Sequence, residues 1–318
     1  MKRLLQLISL VFILIGTFLG LIYYKGDEFL IFAISISLFF TIIFFFIVDM
    51  LIKNKESIKK RKFSNLSIFL WFCFLIFSLT SSIFILHGMN VQINAKSDIQ
   101  KQTLNKLNVL NNMTTQFQKV VTKDLNDFNN SLDTAIYNYT LSGDNNGKYH
   151  RILNSPPYNL KKSQIARLNT KNARQRNKII ESKLAARKQK FEKEKADVNF
   201  KIEKFLKDNT NTIKKWHVLE LNTSFYLLNS MLSENKQQLT NAFNKHKFNE
   251  DSEFKCNIPT ETIPLNNPME LWEIYKTNYL IAGVFLFYLF MLTPYLIHGD
   301  KKRKYVKSNS KWEGGIEL

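Results

Sequence analysis

The chain has 318 residues, a formal net charge of +19 and 45% hydrophobic residues. The apolar residues are concentrated in four long runs and the middle of the chain is polar, which excludes an ordinary soluble globular protein. Apolar runs of about 20 residues span the hydrocarbon core of a bilayer when they form helix. We therefore predict an all-α membrane protein with four transmembrane helices, at 4–24, 29–51, 65–87 and 278–298.

The first apolar run follows Lys2 and Arg3 and resembles the start of a signal peptide. A signal peptide has an apolar core of about 7–15 residues and then a small-residue cleavage site. This run continues to Ile22 without such a site, so we expect a retained helix. Gly16 and Gly20 have the GxxxG spacing that lets helices approach closely, although the motif often arises by chance.

Lys and Arg residues next to the helix ends predict the orientation of the spans. Two of them precede the first run, six lie between 53 and 62, and five lie between 301 and 307. The loop between the first two runs has only Lys25, offset by Asp27 and Glu28. We therefore expect both termini in the cytoplasm, and the Lys- and Asn-rich composition favours a bacterial inner membrane.

This orientation predicts four parts of the chain. They are the first three spans within 1–87, an extracytoplasmic domain at 88–277, the fourth span at 278–298, and a basic cytoplasmic tail at 299–318 that contacts membrane lipids.

The predicted extracytoplasmic domain has the pattern of long helices. Residues 89–142 and 158–258 contain neither Gly nor Pro. Apolar residues recur there every three or four positions, which indicates helices packed as a coiled coil or bundle. The stripe in the first stretch consists of Leu104, Leu107, Leu110, Met113, Phe117, Val121, Leu125, Phe128, Leu132 and Ile136.

We expect three helices in this domain, at 89–142, 159–207 and 212–247, and an extended return to the membrane over 248–277. The break between the second and third helices is predicted at DNTNT, because Asp and Asn compete for backbone hydrogen bonds. One bent helix over 159–247 is the alternative. The tip at 142–159 is either a recognition loop or a simple turn.

The sequence has no recognisable site for chemistry. The five His residues are scattered without a second ligand at metal spacing, and no phosphate-binding or hydrolase motif is present. We therefore predict no catalytic, cofactor-binding or metal-ligating residues, and no enzyme. The spans lack ionisable residues near their centres, which argues against a transporter. Cys73 and Cys256 lie in an apolar run and in the polar region, so we expect no bridge between them.

One basic stretch is a candidate binding face. Residues 171–190 carry eight Lys and Arg against one acid, Glu181. On the outer side of the membrane, nucleic acid is not an expected partner. The stretch is either a solvated helix face enlarged by codon usage or a dock for an acidic protein or anionic envelope polymer. The candidate residues are Lys171, Arg174, Arg176, Lys178, Lys183, Arg187, Lys188 and Lys190.

These features favour a non-enzymatic membrane subunit of a bacterial envelope assembly, such as a secretion system or another envelope-spanning machine. Its helical stalk would contact other envelope proteins or form a homo-oligomer through the coiled coil. A sensor or receptor that signals through a separate partner is one alternative, and a channel or transporter accessory protein is another.

Overall fold

The computed structural model describes residues 2–57, 65–142, 147–169, 173–260, 263–276 and 278–309. The chain divides into two compact units. Unit 1 comprises Met1–Gln102, Lys215–Ser224 and Glu261–Leu318, and unit 2 comprises Thr103–Lys214 and Phe225–Thr260. This division differs from the predicted one, because 88–102, 215–224 and 261–277 group with the apolar helices.

The described residues form helices and no strands, which confirms the all-α prediction. A π-helix at Val91–Ala95 joins α3 to α4, and 3-10 turns lie at Asp27–Phe29 and Arg167–Asn169. The α-helices are α1 (Lys2–Lys25), α2 (Leu30–Ser57), α3 (Asn65–Asn90), α4 (Lys96–Ser142), α5 (Lys148–Asn154), α6 (Lys162–Ala166), α7 (Ala173–Lys215), α8 (Val218–His246), α9 (Pro268–Tyr275) and α10 (Asn278–Asn309).

Four described helices are long and apolar enough to cross a membrane, which confirms the prediction of four spans at this level. They are Arg3–Lys25, Leu30–Lys55, the helix Asn65–Leu141 that includes α3, and Asn278–Ile297. The basic residues predicted to be cytoplasmic at 59–62 and the end of the tail at 310–318 lie outside the described residues.

The apolar helices of unit 1 pack on a common core. Phe44 is fully buried on α2, and its ring lies 5.7 Å from the rings of Phe74 on α3 and Tyr288 on α10. The hydroxyl groups of Ser35 and Ser37 donate to carbonyl oxygens four residues earlier, at 2.8 and 2.6 Å. These hydroxyls therefore satisfy their hydrogen bonds within their own helix.

Unit 2 has a core shared by α4, α7, α8 and the segment after α8. The predicted stripe on α4 faces this core, and Phe117 at its centre is fully buried. The ring of Phe117 lies 6.2 Å from Phe191, 6.5 Å from Phe243 and 5.4 Å from Phe254. The apolar spacing of the sequence therefore identifies the packed face of each long helix.

The bounds of α7 differ from the predicted helix at 159–207. The chain turns at Pro156 and Pro157 and forms the short α6 before α7 begins at Ala173. At the other end the predicted break over 208–212 is wrong. Asn209 there donates its side-chain amide to the carbonyl of Phe205 at 3.2 Å, inside the helix. Burial of the adjacent apolar face keeps this segment helical, so tertiary packing overrides the local preference of Asp and Asn.

No break separates the third apolar run from the long helix that follows it. Helical structure continues from Asn65 to Ser142 through the π-helix, whereas the sequence prediction started a new helix at 89. Gly88 does not interrupt the helix because it is buried, and a Cβ there would lie 2.9 Å from the backbone nitrogen of Gly20. The absence of a side chain at Gly88 therefore allows close helix packing and does not produce a turn.

The segment predicted as an extended return, 248–277, contains one stretch without regular structure and one helix. Among its described residues, 252–260 have no regular structure, and Phe254 and Cys256 are buried in the core of unit 2. The second part contains α9. Asn267 caps this helix by accepting a hydrogen bond from the backbone N–H of Glu270 at 3.3 Å, and Pro268 occupies the first turn.

Candidate functional site

The described residues contain no group of three or more His, Cys, Asp or Glu side chains placed to hold a metal ion. Both cysteines are free thiols, and Cys256 is buried. Several buried polar groups of unit 1 hydrogen-bond to one another and connect segments that are far apart in the sequence.

The turn between α7 and α8 is anchored in unit 1 by Trp216. This residue is 6% exposed and ends α7 in the left-handed conformation, with φ at 56°. Its indole N–H donates to the hydroxyl oxygen of Tyr23 at 3.1 Å. The side-chain amide of Gln92, in the π-helix, donates to the same oxygen. One buried tyrosine hydroxyl on α1 therefore accepts hydrogen bonds from two distant segments.

Asn222, on the first turns of α8, caps the end of α1. Its side-chain amide donates to the carbonyls of Ile22 at 2.9 Å and Tyr23 at 3.3 Å. The carbonyl of Ile22 also accepts the backbone N–H of Gly26 at 2.8 Å, so Asn222 adds a second hydrogen bond at the end of α1. Val218 packs beside it on an apolar cluster of α1 and α2. We call Tyr23, Gln92, Trp216 and Asn222 the polar anchor.

A second set of contacts in unit 1 fixes α9 and the start of α10. The hydroxyl of Tyr275 donates to the carboxylate of Asp98 at 2.9 Å, and the hydroxyl of Tyr279 donates to the side-chain oxygen of Asn94 at 2.8 Å. Burial, the hydrogen bond to Asp98 and the negative charge of Asp98 together raise the pKa of Tyr275 to about 12. The tyrosine therefore remains a hydrogen-bond donor at neutral pH.

The polar anchor and the second set of contacts each include residues in or next to the π-helix. Turns of π-helix are rare and often mark functional sites, because they displace side chains from the regular helical positions. Here Val91–Ala95 supplies Gln92 to the polar anchor and Asn94 to the start of α10. In both sets the donor and acceptor side chains hydrogen-bond to one another. These bonds fix the chain segments that carry the side chains.

Replacing Tyr23 with phenylalanine is expected to destabilise the polar anchor by about 1–3 kcal/mol, because two donors lose their acceptor in a buried site. The measurement is hydrogen exchange of peptides covering 210–225 in detergent-solubilised protein. Tyr226 is 75% exposed on α8, so Tyr226→Phe is the matched control and should leave exchange unchanged. Equal exchange in Tyr23→Phe and the wild-type protein would contradict the assigned role of the hydroxyl.

The structure separates the predicted basic face into outward and inward residues. Arg174, Lys178, Lys188 and Lys190 are exposed on α7, and Arg176 is half-buried. Lys171 lies outside the described residues.

Lys183 and Arg187, both on α7, hydrogen-bond to other segments of unit 2. The ammonium of Lys183 donates to the carbonyl of Asn159 at 2.6 Å. Burial, and then the charge of Lys161, lower the pKa of Lys183. Arg187 donates to the carbonyl of His246. Both side chains are half-buried, and the binding role of the basic face stays a prediction.

Arg187 pairs with a buried acid that the sequence analysis missed. Its Nε lies 3.8 Å from the Oδ2 of Asp124, whose side chain is fully buried. Oδ1 of Asp124 also accepts hydrogen bonds from the backbone N–H groups of Phe248 at 2.7 Å and Asn249 at 3.0 Å. The guanidinium stacks over the ring of Phe128, with 4.9 Å to the ring centroid. This cluster holds the chain after α8 against α4.

The structure places Gly16 and Gly20 where α1 approaches α3. A Cβ at Gly16 would lie 3.1 Å from the side chain of Ile85, and a Cβ at Gly20 would lie 1.9 Å from the carbonyl oxygen of Phe84. Gly20 therefore permits backbone contact between the two helices.

Sequence signals existed for some of the missed residues. Asp124 stands on the apolar stripe of α4, three residues after Val121 and four before Phe128, and an acid at such a position indicates a buried partner. Tyr23, Gln92 and Trp216 are far apart in the chain and have no shared spacing, so no sequence pattern connects them.

No protein-family model, curated protein or solved structure matches this chain.

Proposed function

We propose that this chain is a non-enzymatic integral membrane subunit of a bacterial envelope assembly, such as a secretion machine. In this proposal the apolar helices of unit 1 anchor the chain in the inner membrane, with both termini in the cytoplasm. Unit 2 is an extracytoplasmic stalk of coiled-coil character that binds partner proteins. The short basic segments next to the helix ends support this orientation.

The observation that supports an anchoring role most is the polar anchor. The chain passes between the two units four times, near residues 102, 214, 224 and 260. The first passage lies within continuous helix, and the second and third are the two ends of the segment that Trp216 and Asn222 hold in unit 1. Residues 215–224 are thus held within unit 1 by buried hydrogen bonds, which supports an anchoring role for unit 1.

Purification of the full-length protein from its own cells in mild detergent tests this function. We expect a stoichiometric set of other envelope proteins to remain bound through washing. Recovery of the protein alone, as a small homo-oligomer, would contradict the proposal. Recovery with a kinase or response regulator would favour the receptor alternative.

The exposed basic residues of α7 are the proposed contact with an acidic partner protein. Burial, and then the positive charges of Lys190 and Lys245, lower the pKa of His246, which is consistent with a positive potential on this side of unit 2. Such potentials increase the association rate and selectivity for partners of opposite charge.

Charge reversal separates the outward residues from the inward ones. We expect Lys178→Glu, Lys188→Glu and Lys190→Glu together to reduce co-purification of partners at least about tenfold, since several favourable charges become unfavourable. The fold should not change, because these side chains are exposed. Lys204→Glu with Lys207→Glu, also exposed on α7, is the control. Unchanged co-purification in the triple variant would leave only the solvated-face interpretation.

A further inference from the structure

One end of unit 2 exposes large apolar side chains. Tyr137 and Leu141 are one helical turn apart on the last turns of α4, and they are 58% and 66% exposed. Ile152 on α5 is 38% exposed. An exposed tyrosine and two exposed aliphatic residues on neighbouring elements are unusual on a polar surface, and groups of this kind mark interaction sites.

The same elements are basic. Residues 133–169 contain five Lys and Arg against two acids, Asp133, which is exposed on α4, and Asp144, which lies outside the described residues. Lys148, Arg151, Lys161 and Lys162 are all exposed.

The exposed apolar and basic residues lie on elements that share one apolar cluster, so they belong to one end of unit 2. Ile136 and Tyr139 on α4, Leu153 on α5, Ile165 on α6 and Ile179 on α7 are buried in the same apolar cluster. Tyr137 and Ile152 are the immediate neighbours of Ile136 and Leu153 in the sequence, and they face outward where those residues face inward. We call this end, with its apolar and basic side chains, the amphipathic tip.

We infer that the amphipathic tip of unit 2 binds the surface of an anionic phospholipid bilayer. Tyr137, Leu141 and Ile152 enter the boundary between headgroups and acyl chains, where tyrosine and aliphatic side chains are favourable. Lys148, Arg151, Lys161 and Lys162 bind lipid phosphates. Clustered basic residues beside exposed apolar residues form the combination of charge attraction and insertion that gives stable peripheral membrane binding.

The exposed apolar side chains beside the basic residues favour a bilayer over a soluble polyanion. A soluble polyanion needs the basic residues only and leaves the apolar side chains in water. The proposed function of the chain does not require this contact, so the two proposals can fail separately.

The test uses the full-length protein in nanodiscs of phosphatidylcholine, mixed with larger vesicles of phosphatidylglycerol and phosphatidylcholine. Vesicle capture is measured by flotation. Two variants of the amphipathic tip are compared with the wild-type protein: Tyr137→Ser with Leu141→Ser, and Arg151→Glu with Lys162→Glu. We expect each pair to reduce capture at least about fivefold, because each removes one of the two contributions to binding.

Matched controls come from another exposed part of unit 2. Phe200 is 69% exposed on α7, and Phe200→Ser controls for loss of an exposed apolar side chain. Lys204→Glu with Lys207→Glu controls for charge reversal. Both should capture vesicles like the wild-type protein, and circular dichroism should show the same melting temperature for all variants.

Three outcomes would overturn the inference. The first is wild-type capture by both tip variants. The second is a fall in vesicle capture by the charge variant but not by the apolar variant, together with full competition of inorganic polyphosphate against vesicles. That result would indicate a site for soluble polyanions. The third is capture that falls equally in the control variants. Bilayer binding is supported if vesicle capture falls in both tip variants but not in the control variants, and the melting temperature is the same in all of them.

Discussion

Replacing Asp124 with alanine is expected to lower the free energy of unfolding of unit 2 by about 3–5 kcal/mol, because removing one partner leaves a buried charge uncompensated. The change also orphans two backbone N–H groups, those of Phe248 and Asn249. The measurement is hydrogen exchange of peptides from α4, α7 and α8, since cooperative units of a protein exchange according to their own stability.

A control on the same helix separates the cluster from a general effect of charge loss. Asp133 is exposed on α4, and Asp133→Ala is expected to change stability by less than about 0.5 kcal/mol. The double variant Asp124→Leu with Arg187→Met should be less destabilised than Asp124→Ala, because neither charge remains buried alone. Exchange in Asp124→Ala equal to that of the wild-type protein would show that the cluster contributes no stability.

Replacing Gly20 with alanine is expected to have a comparable effect on unit 1. The new Cβ would lie 1.9 Å from a backbone carbonyl oxygen on α3, so one of the two helices must shift. Overpacking against side chains costs about 1–3 kcal/mol, and a rigid backbone neighbour puts this site at or above the upper end of that range. Thermal unfolding in detergent, followed by the near-ultraviolet signal of the tryptophans, measures the loss.

Gly283 on α10 provides the comparison. A Cβ at that position meets nothing within 4 Å, so Gly283→Ala should be neutral or slightly stabilising. If the Gly20→Ala and Gly283→Ala proteins have the same melting temperature, α1 and α3 do not touch at this position.

Hydropathy and helical periodicity predicted the larger part of the fold. Phe117, Phe191 and Phe243 are the centre of the core of unit 2, and each lies on an apolar stripe that is readable from spacing alone. The sequence predictions failed where the local conformational preference of a residue and its tertiary packing favour different structures. Asn209 favours a break in isolation, but burial of the adjoining helix face decides its conformation.

The polar anchor was less predictable than the core. Tyr23 and Trp216 are 193 residues apart, and only the fold brings them together. The basic face was found from composition, but composition cannot show which way a side chain points. The fold separates Arg187, which pairs with Asp124, from Lys188, which is exposed.

The position of unit 2 outside the cytoplasm is the central claim, and cysteine labelling in intact spheroplasts tests it most directly. Ala185, exposed on α7, and Lys53, exposed near the end of α2, are each replaced by cysteine in full-length protein. A membrane-impermeant maleimide should label Ala185→Cys in intact spheroplasts and Lys53→Cys only after permeabilisation. The reverse pattern would place unit 2 in the cytoplasm and contradict the account.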